Sequence, residues 1–93
     1  MRIRNICIVG GGSAGWVTAA ALTKVLPDMN VTLIESKNIN TVGVGESTLT
    51  YLNVFLKLLD LKDEDWMSSC NATYKTSIKF TDFAGKGQSY HYP

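Results

Sequence analysis

A glycine-rich loop near the start of the chain has the spacing that phosphate binding requires. Gly10, Gly12 and Gly15 form a Gly-x-Gly-x-x-Gly pattern directly after an apolar run. The first glycine of such a loop permits a tight turn, and the second lets the backbone approach a pyrophosphate. The third allows the following helix to pack closely on the strand. The N–H groups that begin this helix attract phosphate oxygens.

An acidic residue lies at the distance that ribose recognition requires. Glu35 follows Gly15 by 20 residues and ends a second apolar run. A carboxylate there can accept hydrogen bonds from ribose hydroxyls, and it would repel the 2′-phosphate of NADP. The pattern predicts a site for the ADP part of a dinucleotide. By itself it does not separate FAD from NAD.

The segments around this loop predict a β–α–β unit over residues 3–35. Residues 3–9 end in β-branched residues typical of a parallel strand, residues 16–26 form an alanine-rich helix, and residues 30–35 form a second strand. The expected fold class is α/β, a Rossmann-like βαβ FAD-binding unit. We expect it to be incomplete, because a parallel sheet needs both faces covered and more strands beside these two.

The remainder of the chain predicts a second glycine loop, two helices and a strand. The loop spans residues 42–48, and the helices are expected at about 50–59 and 64–69. Residues 74–83 alternate as a strand does, and a turn follows at residues 85–88. We interpret residues 1–93 as a single FAD-binding segment, the N-terminal fragment of a larger FAD-dependent monooxygenase-like fold whose substrate domain is absent.

Composition excludes several classes of function. Nine basic and eight acidic residues give a net charge of +1, which provides no electrostatic case for nucleic acid or an anionic membrane. No apolar stretch approaches the roughly 18 residues of a membrane span, so we expect a cytoplasmic protein. Cys7 and Cys70 have no metal-ligand spacing, so we expect neither a metal site nor a disulfide, and we interpret both as packing residues.

A lysine in the alternating segment is the candidate for chemistry. From alternation alone Lys75 would be a solvated lysine, although a desolvated primary amine can be nucleophilic or donate hydrogen bonds. Lys79 shares its face, about 13 Å along the strand. Trp66 is interpreted as a core residue, and His91 as either a surface histidine or a residue beside the active site.

Three segments together resemble the flavin-dependent tryptophan halogenase family over essentially all 93 residues. They are the glycine loop with Trp16, the loop at residues 43–48, and the segment at 65–80 with its Asn-Ala-x-Tyr-Lys sequence. The resemblance implies that the ADP half of FAD is held by the first loop and Glu35, and that the second loop is the family's flavin strap. The implied cofactor-binding residues are Gly10, Gly12, Ser13, Ala14, Gly15, Trp16, Glu35, Val44, Gly45, Glu46 and Ser47.

The resemblance also implies a reaction and its partners. Lys75 matches the family's active-site lysine, which directs hypohalous acid to a carbon of a tryptophan-like or indole-like aromatic. Reduced FAD, oxygen and a halide ion would form that acid, and a separate flavin reductase would supply the FADH2. Lys75 is favoured over Lys79 because it directly follows the Asn-Ala-x-Tyr sequence.

The chain departs from the family at the end of the strap and leaves other functions open. Residues 47–50 read Ser-Thr-Leu-Thr where many members have Ala-Thr-Ile-Pro. This puts the strap geometry and the use of free tryptophan in doubt. The segments that complete the family's substrate and halide sites are absent, so we expect no turnover from 93 residues alone. Alternatives are another FAD-dependent monooxygenase or oxidase, and a non-catalytic nucleotide-binding remnant.

Overall fold

The computed structural model describes residues 3–40 and 47–93, which form an N-terminal βαβ unit, two further helices and a hairpin. The elements, in chain order, are β1 (Asn5–Val9), α1 (Ser13–Val25), β2 (Asn30–Ile34), α2 (Tyr51–Leu58), α3 (Asp63–Trp66), β3 (Ile78–Thr81) and β4 (Ser89–Tyr92). In this part of the chain the strands form two separate two-stranded sheets. The α/β class predicted from the sequence is correct.

Strands β1 and β2 are parallel, and α1 crosses between them. Asn5 pairs with Asn30 and Val9 with Ile34, so both strands end at the same edge of the sheet. The Asn30 amide also donates to the Asn5 side chain over 3.0 Å. Helix α1 begins at Ser13, three residues earlier than expected, because the chain turns directly from Gly10 into the helix. This register brings Gly10 beside the end of β2.

Helix α2 presents the apolar face that its spacing predicts. Leu52, Phe55 and Leu59 are partly covered, and Leu56 is buried. An ion pair between Lys24 at the end of α1 and Asp60 just after α2 links the two helices. Helix α3 is shorter than expected and continues as turns to Asn71. Its start is fixed by the Asp65 carboxylate, which accepts the backbone N–H of Lys62 over 2.8 Å.

The strand expected over residues 74–83 is shorter than predicted. Only Ile78–Thr81 forms β3, because its antiparallel partner β4 spans just Ser89–Tyr92, with Ile78 opposite Tyr92. Alternation identified the element but could not show where its partner ends. We did not predict β4, whose sequence, Ser-Tyr-His-Tyr, lacks an apolar alternation. Phe80 stacks on Tyr90 across the hairpin with ring centroids 5.1 Å apart.

Large apolar surfaces are exposed on the residues that the structure describes. Leu56 is the one hydrophobic residue among them that is buried, while Val9, Ile34 and Trp16 are 83%, 52% and 55% exposed. The radius of gyration is 17.7 Å, against about 12 Å for a compact domain of this length. Cys7 is exposed, contrary to the prediction that it packs inside, because α1 covers only one face of the β1–β2 sheet.

Within residues 3–40 and 47–93 no helix has both the length and the continuous apolar character that a membrane span would require. Cys7 and Cys70 are free thiols.

The close approach of α1 to the first loop predicts opposite tolerances at two glycines. A Cβ on Gly15 would lie 1.9 Å from the Gly10 carbonyl oxygen, whereas a Cβ on Gly12 would meet nothing within 4 Å. We expect Gly15→Ala to lower the unfolding free energy of the flavin-free protein by about 1–3 kcal/mol. We expect Gly12→Ala to cost less than about 1 kcal/mol, mainly from a poorer N-cap.

Chemical denaturation of the complete protein carrying each substitution would measure both values. Alanine is the better helix former by about 1 kcal/mol, so without a clash Gly15→Ala would stabilise the protein. A Gly15→Ala variant as stable as the parent would show that α1 does not need this close contact.

Candidate functional site

The glycine loop leaves β1 in a backbone conformation that favours glycine. Gly10 has φ of +124°, and its N–H donates to the Ile34 carbonyl at the end of β2 over 2.9 Å. A side chain at this φ would be strained. The turn therefore ties the loop to the carboxyl ends of both parallel strands, where α/β proteins bind their ligands.

The start of α1 offers the loop's N–H groups to a ligand. Gly12 is the N-cap, and no side chain caps the helix there. The first hydrogen bond that closes the helix runs from the Trp16 N–H to the Gly12 carbonyl over 3.1 Å. Ser13 and Ala14 lie in the first turn, and both are exposed. Because the space beside Gly12 is open, the backbone can be approached closely at this point.

The Glu35 side chain is exposed and lies directly beside the glycine loop. A Cβ added to Gly11 would fall 2.4 Å from the Glu35 Cβ and 1.9 Å from its Oε2. Gly11 occupies an unspecified position of the Gly-x-Gly-x-x-Gly pattern, so the spacing predicted no role for it. The run of three glycines was the signal that could have identified it. A side chain at Gly11 would displace Glu35 from the mouth of the loop.

These features fit the ADP half of a dinucleotide. The loop combines an uncapped helix N-terminus, open space at Gly12 and a carboxylate at the end of β2. Donors at the helix start suit phosphate oxygens, and the carboxylate suits ribose hydroxyls. Trp16, expected to flank the loop, follows it in the first turn of α1 and is 55% exposed.

The second loop is described only at its end. Val44, Gly45 and Glu46, the other predicted flavin-side residues of the strap, lie outside the described residues. Ser47 is described and is exposed. It lines a groove of about 810 Å³ between the end of this loop, α2 and α3.

Lys75 lies in that groove, and its amine contacts the end of the strap. The Nζ donates to the Thr48 carbonyl oxygen over 2.9 Å. Both residues line the groove, together with Asn53 on α2 and Trp66 on α3. The sequence placed Lys75 on a strand, but it lies in the irregular segment before β3. The sequence did not identify Thr48, because it accepts through its main-chain carbonyl and such a contact leaves no pattern in the sequence.

Two further hydrogen bonds hold the irregular segment around Lys75. The Tyr74 hydroxyl donates to the Asp63 carboxylate over 2.7 Å, and Ser77 Oγ lies 2.7 Å from His91 Nδ1 on β4. The hydrogen bond to Asp63, with its negative charge, raises the pKa of Tyr74 above its usual value. The phenol is therefore held as a donor toward this carboxylate.

Trp66 and Lys79 differ in their surroundings. Trp66 is partly covered, and its indole Nε1 is buried without a hydrogen-bond partner in the described part of the chain. Lys79 lies on β3 opposite His91 and is exposed. Over residues 3–40 and 47–93, no three His, Cys, Asp or Glu side chains come together as metal ligands would.

Comparison with known proteins gives one family. The tryptophan halogenase family profile matches residues 5–93. The tryptophan 6-halogenase SttH of Streptomyces toxytricini is 46% identical over 97 residues, which cover 100% of this chain and 18% of SttH. Its crystal structure superposes with a TM-score of 0.84, covering 95% of this chain and 18% of the SttH chain.

Two other solved structures are similar. The apo structure of VirX1 is 61% identical with a TM-score of 0.85, covering 99% of this chain and 17% of VirX1. Xcc4156, a flavin-dependent halogenase from Xanthomonas campestris, is 40% identical with a TM-score of 0.88, covering 98% of this chain and 19% of Xcc4156. The chain thus spans about a fifth of the length of these relatives. By its sequence profile and its relatives, the chain belongs to the tryptophan halogenase family.

Proposed function

We propose that the protein carrying this chain is a FAD-dependent halogenase. In this proposal the chain contributes the ADP-binding loop and the segment that carries the active-site lysine. The observation that carries the proposal is the contact of the Lys75 amine with the Thr48 carbonyl in the groove. Through this contact a lysine that could deliver a halogen is hydrogen-bonded to the loop that follows the βαβ unit. Family membership supplies the reaction class.

The glycine loop and Glu35 hold the ADP half of FAD in this proposal. Gly10 sets the turn, Gly12 leaves room for the pyrophosphate, and Gly15 keeps α1 close to the strand. N–H groups in the first turn, which contains Ser13, Ala14 and Trp16, face the phosphates. The Glu35 carboxylate accepts from ribose hydroxyls. Val44, Gly45, Glu46 and Ser47 are proposed to lie on the flavin side of the strap.

Lys75 directs the halogen to the acceptor. The chemistry that reduced FAD would supply when bound is the oxidation of a halide ion by oxygen: FADH2, oxygen, halide and a proton would give FAD, hypohalous acid and water, with a separate reductase providing the FADH2. The Lys75 amine holds this acid in the groove by hydrogen bonding or as a haloamine. Overall, the aromatic carbon gains the halogen and loses a proton, and the hydroxide and that proton leave as water. An electron-rich ring such as indole suits this electrophilic step.

The name of SttH gives tryptophan as a model for the acceptor. Thr50 stands where many family members have proline, and its backbone is helical at the N-cap of α2. We infer a tryptophan-like or indole-containing acceptor for this protein. A cytoplasmic location accompanies this proposal, since reduced flavin is supplied there by soluble reductases.

The ADP-binding role predicts a loss of FAD affinity without a loss of fold. We expect Glu35→Gln to weaken FAD binding about 10- to 100-fold, as for a lost hydrogen bond to a charged group. Gly12→Ala should weaken binding at least about tenfold, because the new methyl group lies where the pyrophosphate must approach. Fluorescence titration of the flavin-free complete protein would measure both, with Lys86→Ala in the β3–β4 turn as the control.

The outcome that contradicts this role is specific. FAD affinity unchanged in both variants, with the thermal midpoint also unchanged, would place the cofactor elsewhere. A fall in affinity that merely follows a fall in the thermal midpoint would also count against direct contact.

The role of Lys75 predicts a difference between two lysines of the same segment. With a flavin reductase, halide and an indole acceptor, Lys75→Ala should lower the halogenation rate at least about 100-fold, as for loss of a positioned catalytic group. Lys79→Ala is the matched control, since both lysines are exposed but only Lys75 lines the groove. Mass spectrometry of the product measures both rates.

Equal halogenation rates of the two variants would overturn the role of Lys75. Absence of halogenated product from the parent protein would favour another FAD-dependent monooxygenase or oxidase, which the βαβ unit alone would also suit.

A further inference from the structure

Lys75 is carried by a segment that no sheet or helix holds. Residues 72–77 take no part in a helix or a strand pairing, and at their start the Ala72 N–H donates to the Met67 carbonyl over 2.9 Å. The rest of this segment is held through side chains. Tyr74 is bonded to α3, Lys75 to the end of the strap, and Ser77 to β4. The position of the Lys75 amine therefore depends on hydrogen bonds of its neighbours.

Among these ties, the bond between Tyr74 and Asp63 is the one adjacent to Lys75 in the chain. The phenol oxygen lies 2.7 Å from Asp63 Oδ2, in the first turn of α3. Consecutive Cα atoms are about 3.8 Å apart, so a fixed Tyr74 ring fixes the backbone from which Lys75 departs. Both residues of the pair line the groove with Lys75 and Thr48.

The Tyr74 side chain is 78% exposed and Asp63 is exposed, so the contact faces solvent and is held by its chemistry rather than by burial. A phenol donating to a carboxylate is a charge-assisted hydrogen bond, stronger and more directional than one between neutral groups. The bond to Asp63 also raises the pKa of Tyr74 above its usual value, because the carboxylate favours the protonated phenol. The Asp65 carboxylate accepts the Lys62 N–H and so braces the turn that carries Asp63.

We propose that the Tyr74–Asp63 hydrogen bond is a positioning contact that aims the Lys75 amine into the groove. This inference rests on the proposed function of Lys75. With the bond in place, the amine lies at one end of the groove beside the Thr48 carbonyl. Without it, residues 73–77 lose one of their three side-chain hydrogen bonds, and the amine samples positions from which hypohalous acid escapes to solvent.

The experiment measures how the halogen is partitioned. The complete protein, supplied with FAD, reductase, bromide and indole, is assayed for bromoindole and for free hypobromous acid trapped by an added scavenger. We expect Tyr74→Phe to lower the ratio of bromoindole to trapped acid at least about threefold, while the rate of flavin oxidation stays unchanged. Tyr51→Phe is the matched control, because Tyr51 on α2 is as exposed as Tyr74 (81% against 78%) but does not line the groove.

Two variants of the acceptor separate positioning from folding. Asp63→Asn keeps an acceptor oxygen and should restore most of the ratio, whereas Asp63→Ala should match Tyr74→Phe. A ratio in Tyr74→Phe equal to that in Tyr51→Phe would overturn the proposal. So would Asp63→Asn and Asp63→Ala losing the ratio equally, which indicates a structural role for α3.

Failure of the proposed function would give a different pattern. If the parent protein formed no bromoindole, the halogenase proposal itself would be wrong. If Lys75→Ala matched a parent that did form it, the role assigned to Lys75 would be wrong. If Lys75→Ala lost bromoindole and Tyr74→Phe did not change the ratio, only the positioning role would be wrong.

Discussion

The close contact between α1 and the turn after β1 is the constraint on which the rest of the site depends. Gly15 brings the helix so near the Gly10 carbonyl that no side chain fits between them. Gly10, in turn, adopts positive φ and bonds to the end of β2. The helix N-terminus, the loop and Glu35 are consequently held at one edge of the parallel pair, as a phosphate site requires.

Glycine spacing and hydrophobic pattern predicted this part of the structure because its physics is local. The turn, the helix start and the distance to Glu35 all follow from residues within one βαβ unit. Gly11 escaped prediction, because its need for a bare backbone arises from Glu35, 24 residues later in the chain. The burial predicted for Cys7 was also wrong. Composition does not show that a helix covers only one face of the sheet.

The lysine region was less predictable because its contacts are long-range. The Asn-Ala-x-Tyr-Lys sequence identified Lys75, but alternation placed it on a strand that begins only at Ile78. The acceptor at Thr48 is a main-chain carbonyl 27 residues away, and Asp63 lies 11 residues before Tyr74. Neither distance corresponds to a helix or strand period. Family resemblance supplied a role for Lys75, and the structure supplies the neighbours through which that role would be exercised.

The proposed function places two roles in a short stretch of chain. The first glycine loop and Glu35 hold the ADP of the cofactor, and Lys75 is hydrogen-bonded to the end of the second glycine loop. The most direct test is a crystal structure of the complete protein with FAD bound. The account predicts pyrophosphate oxygens within about 3 Å of N–H groups at the start of α1, and the Glu35 carboxylate on the ribose hydroxyls. FAD bound with its phosphates away from the loop at Gly10, Gly12 and Gly15 would contradict it.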